Sequence, residues 1–160
     1  MALSQLGSTQ KFVASGNSTT AKTGTITVPA GSRRYMLFFI SRGYVNDVNS
    51  VFPASITVGG QTVNAATAEG ESNGNNNSGS RLYAANEATI AAMSGGAFTV
   101  TYDATLAIAY EIPVTVIFLQ DVDQTAGVVS NGVDPGSTHG GAASVTLTTT
   151  SGDLCIGFGD

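Results

Sequence analysis

The sequence has no tryptophan, one cysteine and one histidine among its 160 residues. The single cysteine, Cys155, excludes an intramolecular disulfide framework and a metal site built from cysteines alone. In its segment LCIGF, we expect a small buried hydrophobe rather than a reactive thiol. The single histidine, His139, is the only residue around which a histidine-based triad can form, and Ser137 and Asp134 share its glycine-rich loop. A loop of this kind gives a nucleophile no rigid support, so we predict that the chain is not an enzyme.

Charge is also scarce. Charged residues make up 11% of the chain, and 11 acidic against 6 basic residues give a net charge of −5. A chain that binds nucleic acid needs a basic surface to neutralise phosphates, so we exclude nucleic acid as a partner. A surface made largely of Ser, Thr, Asn and Gly is typical of proteins that are packed into assemblies or work outside the cell.

Long apolar runs are missing as well. Met1 to Gln10 has no basic start followed by an apolar block, and no apolar stretch elsewhere is long enough to cross a bilayer. The sequence therefore predicts no signal peptide, no transmembrane segment and no membrane partner.

What the chain does contain is β-branched and turn-forming residues. The densest apolar run is Ile112 to Asp123, and its companion is Tyr35 to Ser41. Runs of this length and composition predict strands buried on both faces or nearly so. Pro113 indicates a bulge or an edge-facing position near the start of the first run.

Further strands are indicated by alternating or apolar segments between turn signals. They are predicted at Lys11–Ala14, Thr23–Val28, Ser55–Val58, Gln61–Val63, Arg81–Ala85, Ala97–Tyr102, Ala143–Thr149 and Leu154–Phe158. The dipeptide Gly59-Gly60 predicts a two-residue hairpin turn with positive φ. Asn86 to Met93 predicts a short helix with Asn86 as its N-cap and with Ile90 and Met93 facing the core.

Roughly nine short strands separated by regularly spaced turns predict an all-β fold, a single antiparallel β-sandwich or jelly roll with at most one short helix. The sandwich would occupy residues 10–160. Met1 to Thr9 is expected to be an N-terminal arm that frays or docks on a neighbour. Three polar segments are expected to be loops, namely Gly43–Ser50, the low-complexity and mobile Glu69–Ser80, and Thr125–Gly141.

The order of these motifs resembles a family of β-sandwich domains found in bacteriophage virion proteins and in some bacterial extracellular proteins. The resemblance covers Thr23 to Phe158 and consists of TVPAGS, SITVGGQTV, AFTVTYD, VTVIFLQDVDQT and ASVTLTTTSGDLCIGF in that order. Its most specific elements are Gln120 to Gln124 after the central strand and the turn at Gly152-Asp153-Leu154. Family members commonly continue for one or two more strands after that turn, whereas this chain stops at Gly159-Asp160. We therefore expect that one sheet either is smaller or has an edge completed by something else, since an open edge strand pairs readily with another chain.

Two sets of residues are candidate sites. Calcium binds clustered carboxylates, so a calcium site at Asp121, Asp123 and Asp134 is one hypothesis, and the alternative is that the first two merely cap the end of a strand. No other cofactor is indicated. The second set consists of charged, aromatic and histidine residues expected to contact other molecules. They are Arg33, Arg34, Arg42, Tyr44, Phe52, Tyr110 and His139.

The resemblance implies a non-enzymatic virion structural protein, assembled in the host cytoplasm and located on the capsid as a decoration subunit. Its partners would be other virion proteins such as the major capsid protein, and it would form a homo-oligomer such as a trimer. The N-terminal arm and the last strand are the expected contacts with neighbours. The alternative is a glycan- or receptor-binding module of a phage tail or an extracellular protein, which would use the three loops named above.

Overall fold

The computed structural model describes residues 3–14, 21–42, 52–66, 70–71, 79–101 and 112–124. These residues form two antiparallel sheets and one short helix, which confirms the predicted all-β sandwich. In chain order the strands are β1 Ser4–Gln5, β2 Gln10–Ala14, β3 Ala21–Thr25, β4 Arg34–Arg42, β5 Ser55–Val58, β6 Gln61–Asn64, β7 Gly70–Glu71, β8 Gly79–Ala85, β9 Ala97–Thr101 and β10 Ile112–Gln120; helix α1 is Glu87–Ala91. The predicted strands Ala143–Thr149 and Leu154–Phe158 lie outside the described residues.

Strands β4 and β10 form the centre of the six-stranded sheet. They pair antiparallel over seven residues, from Val114 opposite Ile40 to Gln120 opposite Arg34. β8 pairs with the other side of β4, and β7 continues the sheet beyond β8. On the far side of β10, β2 pairs with its first half and β1 with its last two residues. The two predicted core strands are therefore neighbours in one sheet.

The four-stranded sheet has the order β3-β9-β5-β6. Its β5–β6 hairpin turns at Gly59 and Gly60, whose φ values of 55° and 80° confirm the predicted positive φ and are those of a type I′ turn. A Cβ on Gly59 would lie 2.5 Å from the carbonyl oxygen of Gly95. Glycine is therefore required at this turn for the close approach as well as for the backbone angle.

The main core lies between the two sheets. Alternate residues of the central strands point into it, including Met36, Phe38, Ile40, Val114 and Val116, all at most 1% exposed. This alternation follows from the period of two along a strand.

Phe98 links the two sheets at the middle of the core. Its ring centroid lies 5.1 Å from that of Phe38 in an edge-on arrangement and 5.4 Å from that of Phe12. Gly24 faces Phe98 across the β3–β9 pair, and a Cβ at that position would lie 2.5 Å from the ring. The absence of a side chain at Gly24 thus makes room for the ring.

The six-stranded sheet also has apolar residues on its other face. Tyr35, Leu37 and Leu119 form a second buried cluster there, flanked by the partly buried Ile117 and Val122. This cluster explains why the central strands read as continuous apolar runs rather than as alternating ones.

Pro113 lies in β10 without a bulge. Pairing with β2 is continuous through it, from Ile112 opposite Ala14 to Val116 opposite Gln10. The ladder with β4 begins only at Val114, so Pro113 lies just before the part of β10 that is paired on both sides. Proline lacks a backbone donor, and this position is compatible with that loss.

Helix α1 has the predicted cap. The side chain of Asn86 accepts a hydrogen bond from the backbone N–H of Thr89, and Ile90 is buried in the core. The helix is five residues long, and Ser94-Gly95-Gly96 lie between it and β9. Among the described residues, no helix has the length and apolar character needed to cross a bilayer.

Three boundary predictions are corrected by the structure. β3 runs from Ala21 to Thr25 rather than from Thr23 to Val28, and just beyond it the N–H of Ile26 donates to the carbonyl of Gly96. The segment predicted as a loop from Glu69 to Ser80 contains β7, which pairs with the start of β8. In the predicted arm, Ser4 and Gln5 pair with the end of β10 in the same chain.

We expect Phe98→Ala to lower the free energy of unfolding by about 3–5 kcal/mol, because it removes the ring that fills the space between the sheets. Denaturant unfolding followed by circular dichroism measures this change. Thr99→Ala, on the next residue of the same strand, is the control and should cost much less. Equal effects of the two substitutions would contradict the central position given to Phe98.

Candidate functional site

Four charged residues and a glutamine meet at one end of the sandwich, where β4 begins, β10 ends and α1 starts. We call this group the ion-pair cluster and define it as Arg33, Arg34, Glu87, Asp121 and Gln124. The elements come together because the β4–β10 ladder places Arg34 opposite Gln120, and helix α1 follows β8, the neighbour of β4.

Arg34 and Glu87 form the centre of the cluster. The Arg34 Nε lies 3.0 and 3.1 Å from the two carboxylate oxygens of Glu87, and the Arg34 Nη2 lies 2.5 Å from Oε1. The backbone N–H of Arg34 donates to Oε2 at 2.6 Å, and the Arg34 Nη1 donates to the carbonyl of Pro29 at 2.8 Å. The carboxylate therefore binds both the side chain and the main chain of Arg34, which fixes the start of β4 against α1.

This contact shifts both titration equilibria. The hydrogen bond from Arg34 holds the pKa of Glu87 below its ordinary value of 4.5, although partial burial acts in the opposite direction. The hydrogen bond to Glu87 likewise raises the pKa of Arg34, again against the effect of burial. Both groups are therefore charged at neutral pH, and the charged forms stabilise each other.

Gln124 attaches the segment after β10 to the same helix. Its Oε1 accepts a hydrogen bond from the backbone N–H of Glu87 at 2.6 Å, and its Nε2 donates to the carbonyl of Val122 at 2.9 Å. The first gives a partner to one of the N–H groups that the start of a helix leaves without an intrahelical acceptor. Gln124 therefore ties the end of β10 to α1.

Arg33 and Asp121 form a second, more exposed pair. Their Nε and Oδ1 atoms are 3.4 Å apart, and the Arg33 side chain is 55% exposed. Both residues have left-handed backbone angles, with φ of 54° and 63°, and the N–H of Asp121 donates to the carbonyl of Arg33 at 3.1 Å. The pair marks the point where both central strands end, and a contact this exposed adds little stability.

The chemistry of the cluster is that of a structural clamp. A general base needs a carboxylate with a pKa near the working pH and access to a substrate proton. Glu87 has a lowered pKa, and its two oxygens are already bound to Arg34. The arrangement thus favours rigidity at this end of the sandwich over proton transfer.

The structure separates the predicted contact residues. Arg33 is exposed, whereas Arg34 is buried in its ion pair, so its guanidinium is not presented to a subunit contact. The prediction that Phe52 contacts other molecules is wrong, because its side chain is buried. Phe52 is part of the main core. Its segment is attached to β8 by two hydrogen bonds: the Arg81 guanidinium donates to the carbonyl of Phe52, and the Tyr83 hydroxyl donates to the carbonyl of Pro53.

The remaining predicted residues are described only in part or not at all. Arg42 is the last residue of β4. Tyr44, Tyr110, Asp134 and His139 lie outside the described residues. Of the loops assigned to glycan recognition, only Gly70–Glu71 and Gly79–Ser80 are described, and these residues are paired strands.

Of the three aspartates in the calcium hypothesis, the structure describes Asp121 and Asp123. Asp121 faces the guanidinium of Arg33 and is only partly exposed, whereas Asp123 is exposed. No group of three His, Cys, Asp or Glu side chains that could hold a metal occurs among the described residues. The contact with Arg33 favours the strand-capping alternative for Asp121.

Sequence reasoning did not find the Arg34–Glu87 pair. The two residues are 53 positions apart in the sequence. The only local signal was the position of each residue at the beginning of an element. Their contact arises from strand pairing and helix placement, which no local pattern encodes.

Comparison with known proteins gave no relatives. No protein-family model, curated protein or solved structure matches the chain.

We expect Glu87→Gln to lower the free energy of unfolding by about 2–3 kcal/mol, because it leaves the guanidinium of Arg34 buried without its counter-charge. Asp121→Asn is the matched control. It also removes one carboxylate from the cluster, and asparagine tolerates the left-handed backbone of that position. Its cost should be below about 1 kcal/mol, since its partner is exposed. Equal losses in the two variants would contradict the central position of Glu87.

The same contact predicts acid sensitivity. Because folding lowers the pKa of Glu87, its contribution to stability is present above the pKa of the unfolded chain and is lost as the pH falls through the folded value. We expect the free energy of unfolding of the wild type to fall more steeply below pH 4.5 than that of Glu87→Gln. Unfolding curves recorded from neutral to acid pH measure the difference. Parallel curves would show that the carboxylate of Glu87 does not stabilise the folded state.

Proposed function

We propose that the chain is a non-enzymatic structural subunit of a bacteriophage virion, a capsid decoration protein that acts through contacts with other proteins. The single observation that carries the proposal is the near absence of charge on the exposed surface of the described residues. Among the described charged residues whose exposure is known, Lys11, Arg33 and Asp123 are exposed, whereas the other five are buried or partly buried, namely Lys22, Arg34, Arg81, Glu87 and Asp121. A domain that stays free in solution usually keeps a charged surface, which prevents association with its neighbours.

The charged residues that remain are largely used inside the molecule. Arg34 and Lys22 are buried, and Glu87 and Asp121 bind arginines of the ion-pair cluster. The exposed residues are mostly Ser, Thr, Ala, Gly and Asn. Contacts made by such a surface depend on shape and hydrogen bonds rather than on long-range electrostatic attraction.

The resemblance of the sequence to virion β-sandwich domains supports the same proposal. Its most specific element, Gln120 to Gln124, ends the central strand and binds α1 through Gln124. The contact between Gln124 and the helix stabilises the fold and is not a catalytic or ligand-binding contact. It therefore agrees with a subunit whose function is assembly.

The experiment that tests the proposal is a search for the chain in purified particles. We expect the protein to sediment with intact virions, and an antibody against it to label the head surface in negative-stain images. Heads of an unrelated phage incubated with the purified protein serve as the control and should not bind it. Absence of the protein from purified virions would overturn the proposal, and labelling of the tail would contradict the assignment to the capsid.

A further inference from the structure

The outer face of the six-stranded sheet, on the side away from the main core, carries the second buried cluster, Tyr35, Leu37 and Leu119. The exposed fractions of these three residues are 9%, 6% and 7%. The described apolar side chains packed against them lie in the same sheet or directly beside its end. They are Leu3, Leu82, Ala84, Ile117 and Val122. These described contacts are therefore largely lateral.

Lateral contacts do not account for burial this complete. Side chains stand roughly perpendicular to a sheet, so neighbours in the sheet cover their flanks and leave their ends open. Leu37, for example, lies between Ile117 of β10 and Ala84 of β8, and both of these are only partly buried. The burial is that of a single chain, so the layer above the cluster belongs to the same chain.

The connections of the sheet indicate which part of the chain supplies this layer. The cluster lies toward the end where β4 begins and β10 ends, and the chain leaves β10 there through Val122, which packs on the cluster. Residues 125–160 follow. Four other undescribed segments join the opposite end of the sheet, at Ala14, Arg42, Gly79 and Ile112; they are residues 15–20, 43–51, 72–78 and 102–111. The remaining two, 1–2 and 67–69, are too short to cover the cluster.

Residues 143–158 have the sequence pattern that such a layer requires. Two strands are predicted there, with Val145 and Leu147 alternating in the first and Leu154, Ile156 and Phe158 alternating in the second. A strand with apolar residues at every second position has one face to bury. The two predicted strands therefore need an apolar surface, and the outer face of the six-stranded sheet needs a cover.

We propose that residues 143–158 pack across the outer face of the six-stranded sheet, with their alternating apolar side chains against Tyr35, Leu37 and Leu119. The chain then has three layers, and the six-stranded sheet is the middle one. This cover closes the outer face of that sheet to other proteins. The inference does not depend on the proposed function, but it limits the surfaces through which a virion subunit can contact its neighbours.

Photo-crosslinking in the full-length chain tests the inference. The first variant is Thr115→benzoylphenylalanine, because Thr115 is partly buried and lies two residues before Ile117 on the outer face of β10. Thr57→benzoylphenylalanine is the matched control, since Thr57 is an exposed threonine on the outer face of the four-stranded sheet. We expect irradiation to join position 115 to a peptide from residues 143–158 of the same molecule, which mass spectrometry identifies. The control should give no such product.

The inference is overturned if position 115 gives no product with residues 143–158. It is also overturned if the product joins two molecules, which a denaturing gel shows as a doubled mass, or if position 57 labels residues 143–158 equally.

Double-mutant cycles test the packing without a cross-linker. Leu37→Ala is combined with Leu147→Ala and, separately, with Ile156→Ala, and denaturant unfolding gives the stability of each variant. Residues in contact give non-additive losses, so at least one double variant should lose less stability than the sum of its single variants. Val63→Ala, in the main core on β6, is the control, and its losses should add to those of the same two substitutions. Additive losses in both Leu37 pairs would contradict the proposed packing.

Discussion

The pairing of β4 with β10 is the constraint on which the rest of the structure depends. Seven residues of each strand lie in one ladder at the centre of the six-stranded sheet. On one face, their side chains form half of the main core, and on the other, Tyr35, Leu37 and Leu119 form a second cluster. β8 extends the sheet from β4, and β1 and β2 extend it from β10. Every other strand of the sheet except β7, which pairs with β8, has β4 or β10 as its partner.

The same ladder creates the ion-pair cluster. Because Arg34 lies opposite Gln120, the segment that follows β10 is brought beside the segment that precedes β4. The short helix places Glu87 within hydrogen-bond distance of Arg34, and Gln124 reaches the backbone of the helix. Three elements that are far apart in sequence are thus fixed at one end of the sandwich. The energy of the contact comes from a partly buried, multiply hydrogen-bonded charge pair rather than from the exposed Arg33–Asp121 pair.

The use of charge connects the fold with the proposed assembly function. Of the few charged side chains in the described residues, most hold the molecule together or lie on edge strands. Lys22 is buried on one edge, and Lys11 is exposed on another. Strand β6 contains no charge, and the residue that follows it, Ala65, bridges to Tyr83 of β8 in the other sheet.

The sequence by itself determined the elements whose signals are local. Apolar runs identified β4 and β10, Gly59-Gly60 identified the hairpin turn, and Asn86 identified the start of α1, since each depends on the backbone preferences of adjacent residues. Only the tertiary structure decided that Phe52 is buried and that Gly24 must leave space for Phe98. It also decided that Arg34 and Glu87, 53 residues apart, form one contact. Such contacts depend on which strands become neighbours, and strand neighbours are chosen by the packing of the whole core rather than by any short stretch of chain.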